Sequence, residues 1–290
     1  LFFIAVGLTL LKPDNWTNPA TGGFAPNGLS GIGAGAAIIF FSYIGFDAVS
    51  TAAEESKDPG KDMPFGIIMS LLICTVLYIA LSAVMTGIAP WQTLGTAEPM
   101  ITALTFADGP PRLLGASRFI LSLGAVIAMF SVLLVFQLGQ PRIFMSMSRD
   151  GLLPPFLAKV HPKFKTPYVG TILTGIFVGV FAAFANIAEV VDLTNIGTLF
   201  AFVLVSLGVI VLRYKEPERV RPFRVPFVPW TPMISIVACL YLMFKLPKVT
   251  WERFGIWLLV GLVIYFLYGV RHSRLRIKDA AEEAGRRGSG

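Results

Sequence analysis

Charge is what this sequence has least of. Asp, Glu, Lys and Arg make up 14% of its 290 residues, where a soluble domain carries about 25%. A soluble globular fold is excluded on that ground. Histidine is scarce too: His161 and His272 are the only 2, and both fall in predicted loops. There is no His-Glu-x-x-His, no Gly-x-Ser-x-Gly and no clear pair of carboxylates inside an apolar run. Hydrolytic and metal-dependent chemistry therefore has no constellation to work with. The 2 cysteines, Cys74 and Cys239, lie in apolar segments with no ligand cluster around them, so they read as reduced helix residues. No cofactor is expected. The 24 basic residues outnumber the 17 acidic ones, for a net charge of +7. That excess sits in loops between apolar runs, so it speaks for membrane topology and against a nucleic-acid partner.

What is abundant is apolar sequence. Hydrophobic residues make up 55% of the chain and the mean hydropathy is +0.72. A membrane helix needs roughly 20 apolar residues. Seven segments qualify or nearly so: 29–50, 64–89, 114–138, 168–187, 193–213, 228–244 and 252–270. An eighth, 1–11, is half a span and reads as the outer half of a helix cut by the start of the sequence. The protein is expected to continue upstream. Residues 1–270 then form one transmembrane domain, and 271–290 a tail; its polar part, 279–290, is expected to be disordered.

Alternate sides of these segments differ in charge. One side holds 18 of the 24 lysines and arginines: Lys57 and Lys61, the group from Arg142 to Lys165, the group from Arg213 to Arg224, and those from Arg271 on. The other holds 6: Lys12, Arg112, Arg118, Lys245, Lys248 and Arg253. The positive-inside rule puts the first side, and with it the C-terminus, in the cytoplasm of a multi-pass cell-membrane protein. The segment 91–113 becomes an outer loop whose apolar centre, 100–106, suits a short surface helix. Asp150-Gly151 opens the inner loop as a turn. His161 reads as a solvated loop residue, and Lys163-Phe164-Lys165, like the basic run 213–224, as a topology signal in preference to a lipid-binding patch.

One span is unusual. Phe40-Phe41-Ser42-Tyr43-Ile44-Gly45-Phe46-Asp47 closes the segment 29–50 with a glycine among aromatics and a carboxylate two residues on. Gly45 is either a packing glycine or the place where the helix breaks. A break would free the carbonyls of Phe41, Ser42 and Ile44 to accept from an ammonium group, with Phe41 and Phe46 as apolar walls. Asp47 is either a solvated residue at a helix end or an ionisable group at depth, which by default marks function. Ser131, in the body of 114–138, bonds either its own backbone or a ligand. Gly31, Gly33 and Gly35 read as packing glycines. The segment 29–57 is expected to be two half-helices joined near residues 42–46.

Four stretches in order carry a resemblance. They are Phe40 to Glu55; Gly139-Gln140-Pro141-Arg142 with Ser148-Arg149-Asp150-Gly151; Asn195-Ile196-Gly197-Thr198-Leu199; and Arg221-Pro222-Phe223-Arg224-Val225-Pro226. The outer Lys12-Pro13-Asp14-Asn15-Trp16 also fits. The chain thus resembles the cationic amino acid transporter branch of the amino acid–polyamine–organocation superfamily. The resemblance implies the leucine-transporter fold, an all-α inverted-repeat architecture, present here as the end of helix five and helices six to twelve.

The resemblance further implies a secondary active, proton-coupled amino acid transporter that works by alternating access, with cationic or small neutral substrates. Phe41, Ser42, Ile44, Gly45, Phe46 and Ser131 would contact substrate. Asp47 would pair with a helix-five lysine for proton coupling. No lysine occurs in 1–11, so that partner is expected upstream, with helix one. Amino acid, protons and the bilayer are the expected partners. A non-transporting sensor or structural subunit on the same fold is the other reading that stays open; a membrane-embedded enzyme would need the clustered His, Asp or Glu this chain lacks.

Overall fold

The computed structural model describes residues 1–17, 23, 25–46 and 56–273. Among them there are helices and no strands. The order is α1 Phe2–Leu8, α2 Asp14–Thr17, α3 Gly28–Ile39, α4 Pro59–Ile88, α5 Pro99–Thr105, α6 Pro111–Arg149, α7 Tyr168–Phe184, α8 Ile187–Lys215, α9 Trp230–Lys245 and α10 Lys248–Ile264. A π turn, Tyr265–Gly269, carries α10 on to Val270–His272. Among the described residues, four helices are long and apolar enough to cross a membrane: α4, α6, α8 and α10 with its extension. Gly28–Tyr43, α7 and α9 are shorter apolar helices. The expected all-α polytopic architecture is what the chain forms, its apolar segments in the expected order. The tail 274–290 lies outside the described residues.

Helix ends follow from local sequence. Three helices stop where proline or an N-cap makes continuation costly. Ala89 and Leu246 are extended ahead of Pro90 and Pro247, the conformation that a following proline imposes. Asn186 ends the connection after α7 and accepts from the Ala188 N–H at 3.0 Å, which caps α8. The apolar span 114–138 proves to be part of a longer helix. At 39 residues, α6 is about 58 Å long, against roughly 30 Å of hydrocarbon. Its extra turns contain Pro141, Arg142 and Arg149, so the helix outruns its apolar stretch.

The chain divides into two compact units, one of residues 1–49 and 57–133, the other of residues 50–56 and 134–290. In the first, α1 packs on the C-terminal end of α4. Phe3, Leu10, Val84, Ile88, Ala89, Ala103, Leu104 and Ala107 form a buried core there. Gly7 and Gly87 permit the approach: a Cβ on Gly7 would collide with Val84, and one on Gly87 with Leu11 and Trp16. Trp16 donates to the Thr86 hydroxyl at 3.1 Å, and Asn15 Nδ2 and the Lys12 N–H both donate to the Gly87 carbonyl at 2.9 Å. The Lys12-Pro13-Asp14-Asn15-Trp16 stretch is thus a clasp between α1 and α4. The short helix expected at 100–106 is α5. Two cations serve its carbonyl end: Arg118 donates to the Leu104 carbonyl at 3.0 Å and Lys12 to that of Phe106 at 3.5 Å, the end of a helix that favours positive charge.

In the second unit α8 packs on α9 and α10, burying Asn195, Ile196, Leu199, Val203, Cys239 and Met243. Glu189 pairs with Arg253 at 3.1 Å, and Thr250 donates to Asp192 at 3.4 Å, which ties the first turns of α8 and α10. At the other end of α8, the Arg221 guanidinium donates to the carbonyls of Leu212, Glu216, Pro217 and Arg219. Leu212 lies in the last turn of α8, and Glu216, Pro217 and Arg219 in the loop that follows it, so the guanidinium clips that loop to the helix end. Pro141 explains another motif: it is fully buried, and a Cβ on Gly170 of α7 would stand 3.3 Å from it. Gln137 donates across the same contact to the Thr171 carbonyl at 2.7 Å.

Candidate functional site

The helix α3 begins at Gly28, where φ is +58°, and runs apolar to Ile39. It then tightens into a 3₁₀ turn, Phe40–Tyr43. Ile44 leaves the helical region altogether, with φ −62° and ψ 131°. Gly45 follows at φ +118°, which disfavours an L side chain and suits glycine. The chain therefore departs from its helix within the residues where a break was expected, and Gly45 is the residue whose backbone makes the departure possible. Of the packing glycines, Gly33 is buried while Gly35 has open space around it. The second half-helix and Asp47 lie outside the described residues.

Of the three carbonyls expected to stand free at the break, two have partners. The Phe41 carbonyl accepts from the Ile44 N–H at 3.1 Å, closing the 3₁₀ turn. The Ser42 carbonyl accepts from the Tyr78 hydroxyl at 2.6 Å. This corrects the expectation of unpaired oxygens, and the reason is steric as well as polar. Tyr78 stands on α4 with its ring edge-on to Tyr43, centroids 5.1 Å apart and planes at 87°, which aims its hydroxyl at the turn. A carbonyl oxygen has two lone pairs, so the Ser42 oxygen retains capacity for a second donor.

The remaining candidates sort simply. Phe41 is 41% exposed, Ser42 is exposed, and Ile44, Gly45 and Phe46 are half-buried. These five lie together because they fall within one run of six residues, 41–46. Ser131 is exposed on α6, and its hydroxyl donates to the Ile127 carbonyl at 2.9 Å, the backbone-bonded form of a helical serine. Among the described residues there is no group of three or more His, Cys, Asp and Glu able to hold a metal. Cys74 and Cys239 are free thiols.

Sequence reasoning missed Tyr78. Its only signal was a tyrosine hydroxyl inside the apolar span 64–89, a group that usually finds a partner when it is taken from water. It missed His161 as well. The Nδ1 of His161 accepts from the Lys163 and Phe164 N–H groups at 3.2 and 3.3 Å, and its ring contacts Phe164 and Tyr168. The histidine builds the loop rather than standing solvated in it.

Comparison with known proteins adds the last element. A model of the amino acid permease family matches residues 1–267. The chain is 50% identical to the methylthioribose transporter of Bacillus subtilis over 275 residues, 95% of this chain and 58% of that protein. It is 47% identical to the branched-chain amino acid permease BcaP of the same organism, over 95% of this chain and 57% of that one. The vacuolar cationic amino acid transporter 4 of Arabidopsis thaliana is 42% identical over 76% of this chain and 36% of its own length. The chain thus spans somewhat over half the length of its bacterial relatives. A family match over nearly its whole length, on an all-α frame of apolar helices interrupted at Gly45, identifies the chain as a membrane protein of the amino acid permease family, in the amino acid–polyamine–organocation superfamily.

Proposed function

We propose that the whole protein is a secondary active, proton-coupled amino acid transporter that works by alternating access, and that this chain supplies the helix-six half of its substrate site. The observation that carries the reading is the departure from helix at Ile44–Gly45, where φ is +118°, inside an apolar segment of a permease-family chain. Interrupted membrane helices bind small polar solutes because their ends offer backbone groups that no helix satisfies. The Ser42 carbonyl, with one lone pair on Tyr78, accepts the α-ammonium with the other. Phe41 and Phe46 wall the site, Gly45 leaves room for the ligand backbone, and Ser131 lines the site once its hydroxyl turns from Ile127. Asp47 exchanges the coupled proton with a basic partner in the full-length protein.

The substrate is cationic or small and neutral. The apolar side chains at the break favour neutral over cationic, since no carboxylate stands among the described residues 40–46 to meet a charged side chain. The branched-chain permease relative points the same way. The methylthioribose relative, at 50% identity, supports a second reading in which the ligand has no ammonium group. The basic bias places Lys57, Lys163, Lys215 and the tail in the cytoplasm.

Uptake of leucine, arginine and methylthioribose by the full-length protein in liposomes, with and without an inward proton gradient, tests the proposal. Gradient-driven leucine uptake that Gly45→Leu abolishes, with membrane insertion intact, is the expected result. Uptake of none of the three, or unchanged uptake by Gly45→Leu, overturns it.

A further inference from the structure

We propose that the loop between α6 and α7 is a docking surface for anionic phospholipid headgroups of the membrane that the chain crosses. Its lysines alone read as topology signals. The structure adds three features that a topology signal does not need.

The first is rigidity. The loop opens on a Schellman turn: the Leu152 N–H donates to the Met147 carbonyl and the Gly151 N–H to that of Ser148, with Gly151 at φ +82°. This is a glycine-terminated helix end. Ser148 then donates its hydroxyl to the Pro154 carbonyl at 2.7 Å, and a 3₁₀ turn, Pro155–Ala158, buries Leu157. His161 organises the rest. Its N–H donates to the Thr166 carbonyl at 2.8 Å, its carbonyl accepts from Lys165 at 2.9 Å, and its ring nitrogen accepts from Lys163 and Phe164. Lys165 turns the chain at φ +56°. Lys163-Phe164-Lys165 is thereby held out as a fixed tip.

The second is composition at that tip. Phe164 is 67% exposed, and Lys159, Lys163 and Lys165 are exposed around it. Between Asp150 and Glu189 the sequence holds no carboxylate. An aromatic ring beside unopposed lysines suits a surface with phosphate on the outside and hydrocarbon beneath.

The third is level. The helix α6 runs past its apolar stretch, but the loop returns. A Cβ on Gly170 would stand 3.3 Å from Pro141, and Gln137 bonds the Thr171 carbonyl. The start of α7 therefore lies beside the end of the apolar part of α6. The His161 ring meets Tyr168, the first residue of α7, with centroids 5.5 Å apart. The tip thus sits where α7 begins its apolar run, at the depth of headgroups.

The test uses the full-length protein with Cys74→Ala, Cys239→Ala and Phe164→Cys, labelled at 164 with an environment-sensitive nitrobenzoxadiazole and placed in nanodiscs. Brominated phosphatidylglycerol and brominated phosphatidylcholine are compared as quenchers at equal mole fraction. Stronger quenching by the glycerol lipid is expected, lost at high salt. Each lysine near an anionic surface contributes roughly fivefold in affinity, so Lys159→Gln, Lys163→Gln and Lys165→Gln together should lower the preference on the order of a hundredfold. Equal quenching by the two lipids overturns the proposal. So does a preference that survives salt, a measurement that stands even if the triple variant inserts wrongly.

Discussion

Replacing Tyr78 by phenylalanine removes one oxygen and leaves the ring edge-on to Tyr43. The lost interaction is the 2.6 Å hydrogen bond to the Ser42 carbonyl. A single hydrogen bond of this kind contributes about 1 kcal/mol net, and Ser42 is exposed, so the freed carbonyl suffers no burial penalty in addition. The 3₁₀ turn then loses the group that aims its carbonyl. If that carbonyl receives the substrate ammonium, KM for the transported amino acid should rise about fivefold, the factor that 1 kcal/mol represents, with little change in kcat. Tyr78→Leu, which also removes the ring contact, should cost more in both KM and thermal stability. Uptake kinetics in liposomes and melting of the purified full-length variants measure the two effects. A Tyr78→Phe variant with wild-type KM refutes the reasoning. A variant as damaged as Tyr78→Leu also refutes it, because the ring rather than the hydroxyl would then be responsible.

Gly87→Leu should destabilise the clasp between α1 and α4 by about 1–3 kcal/mol, the usual cost of overpacking, read as a lower melting temperature; an unchanged melt would show that Leu11 and Trp16 can move aside. Arg221→Ala should speed amide exchange in the last turn of α8 by removing donors to four carbonyls. Arg221→Lys should recover only part of the protection, since an ammonium lacks the guanidinium fork, and full recovery would contradict the fork's role. Asp47→Asn in the full-length protein should change the pH dependence of uptake and not merely its rate; a wild-type pH profile would return Asp47 to an interfacial helix residue.

Much of the frame was legible because a bilayer constrains sequence so tightly. A backbone in hydrocarbon must satisfy its own polar groups, so a long apolar run becomes a helix whatever its neighbours do. The spans 64–89, 168–187 and 228–244 lie within a few residues of α4, α7 and α9 for that reason. Hydropathy read α6 too short, since the helix continues past its apolar stretch through Pro141, which is buried against Gly170, a contact that no hydropathy pattern encodes. Gly45 was legible because a glycine between aromatics has few other uses. The partners of the break were not, because Tyr78 is 36 residues away from Ser42 in sequence and meets it only when α4 folds back.

The sequence by itself determined an all-α membrane protein and the order of its spans, and it narrowed the departure of one of them from its helix to residues 42–46. Each follows from composition or from local backbone preference, which act within a few residues. Tertiary structure alone decided which polar groups meet across helices. It gave the Ser42 carbonyl to Tyr78 and the Gly87 carbonyl to Lys12 and Asn15. Ser42 and Tyr78 are 36 residues apart and Asn15 and Gly87 72 apart, so only the packing of distant segments brings each donor to its oxygen.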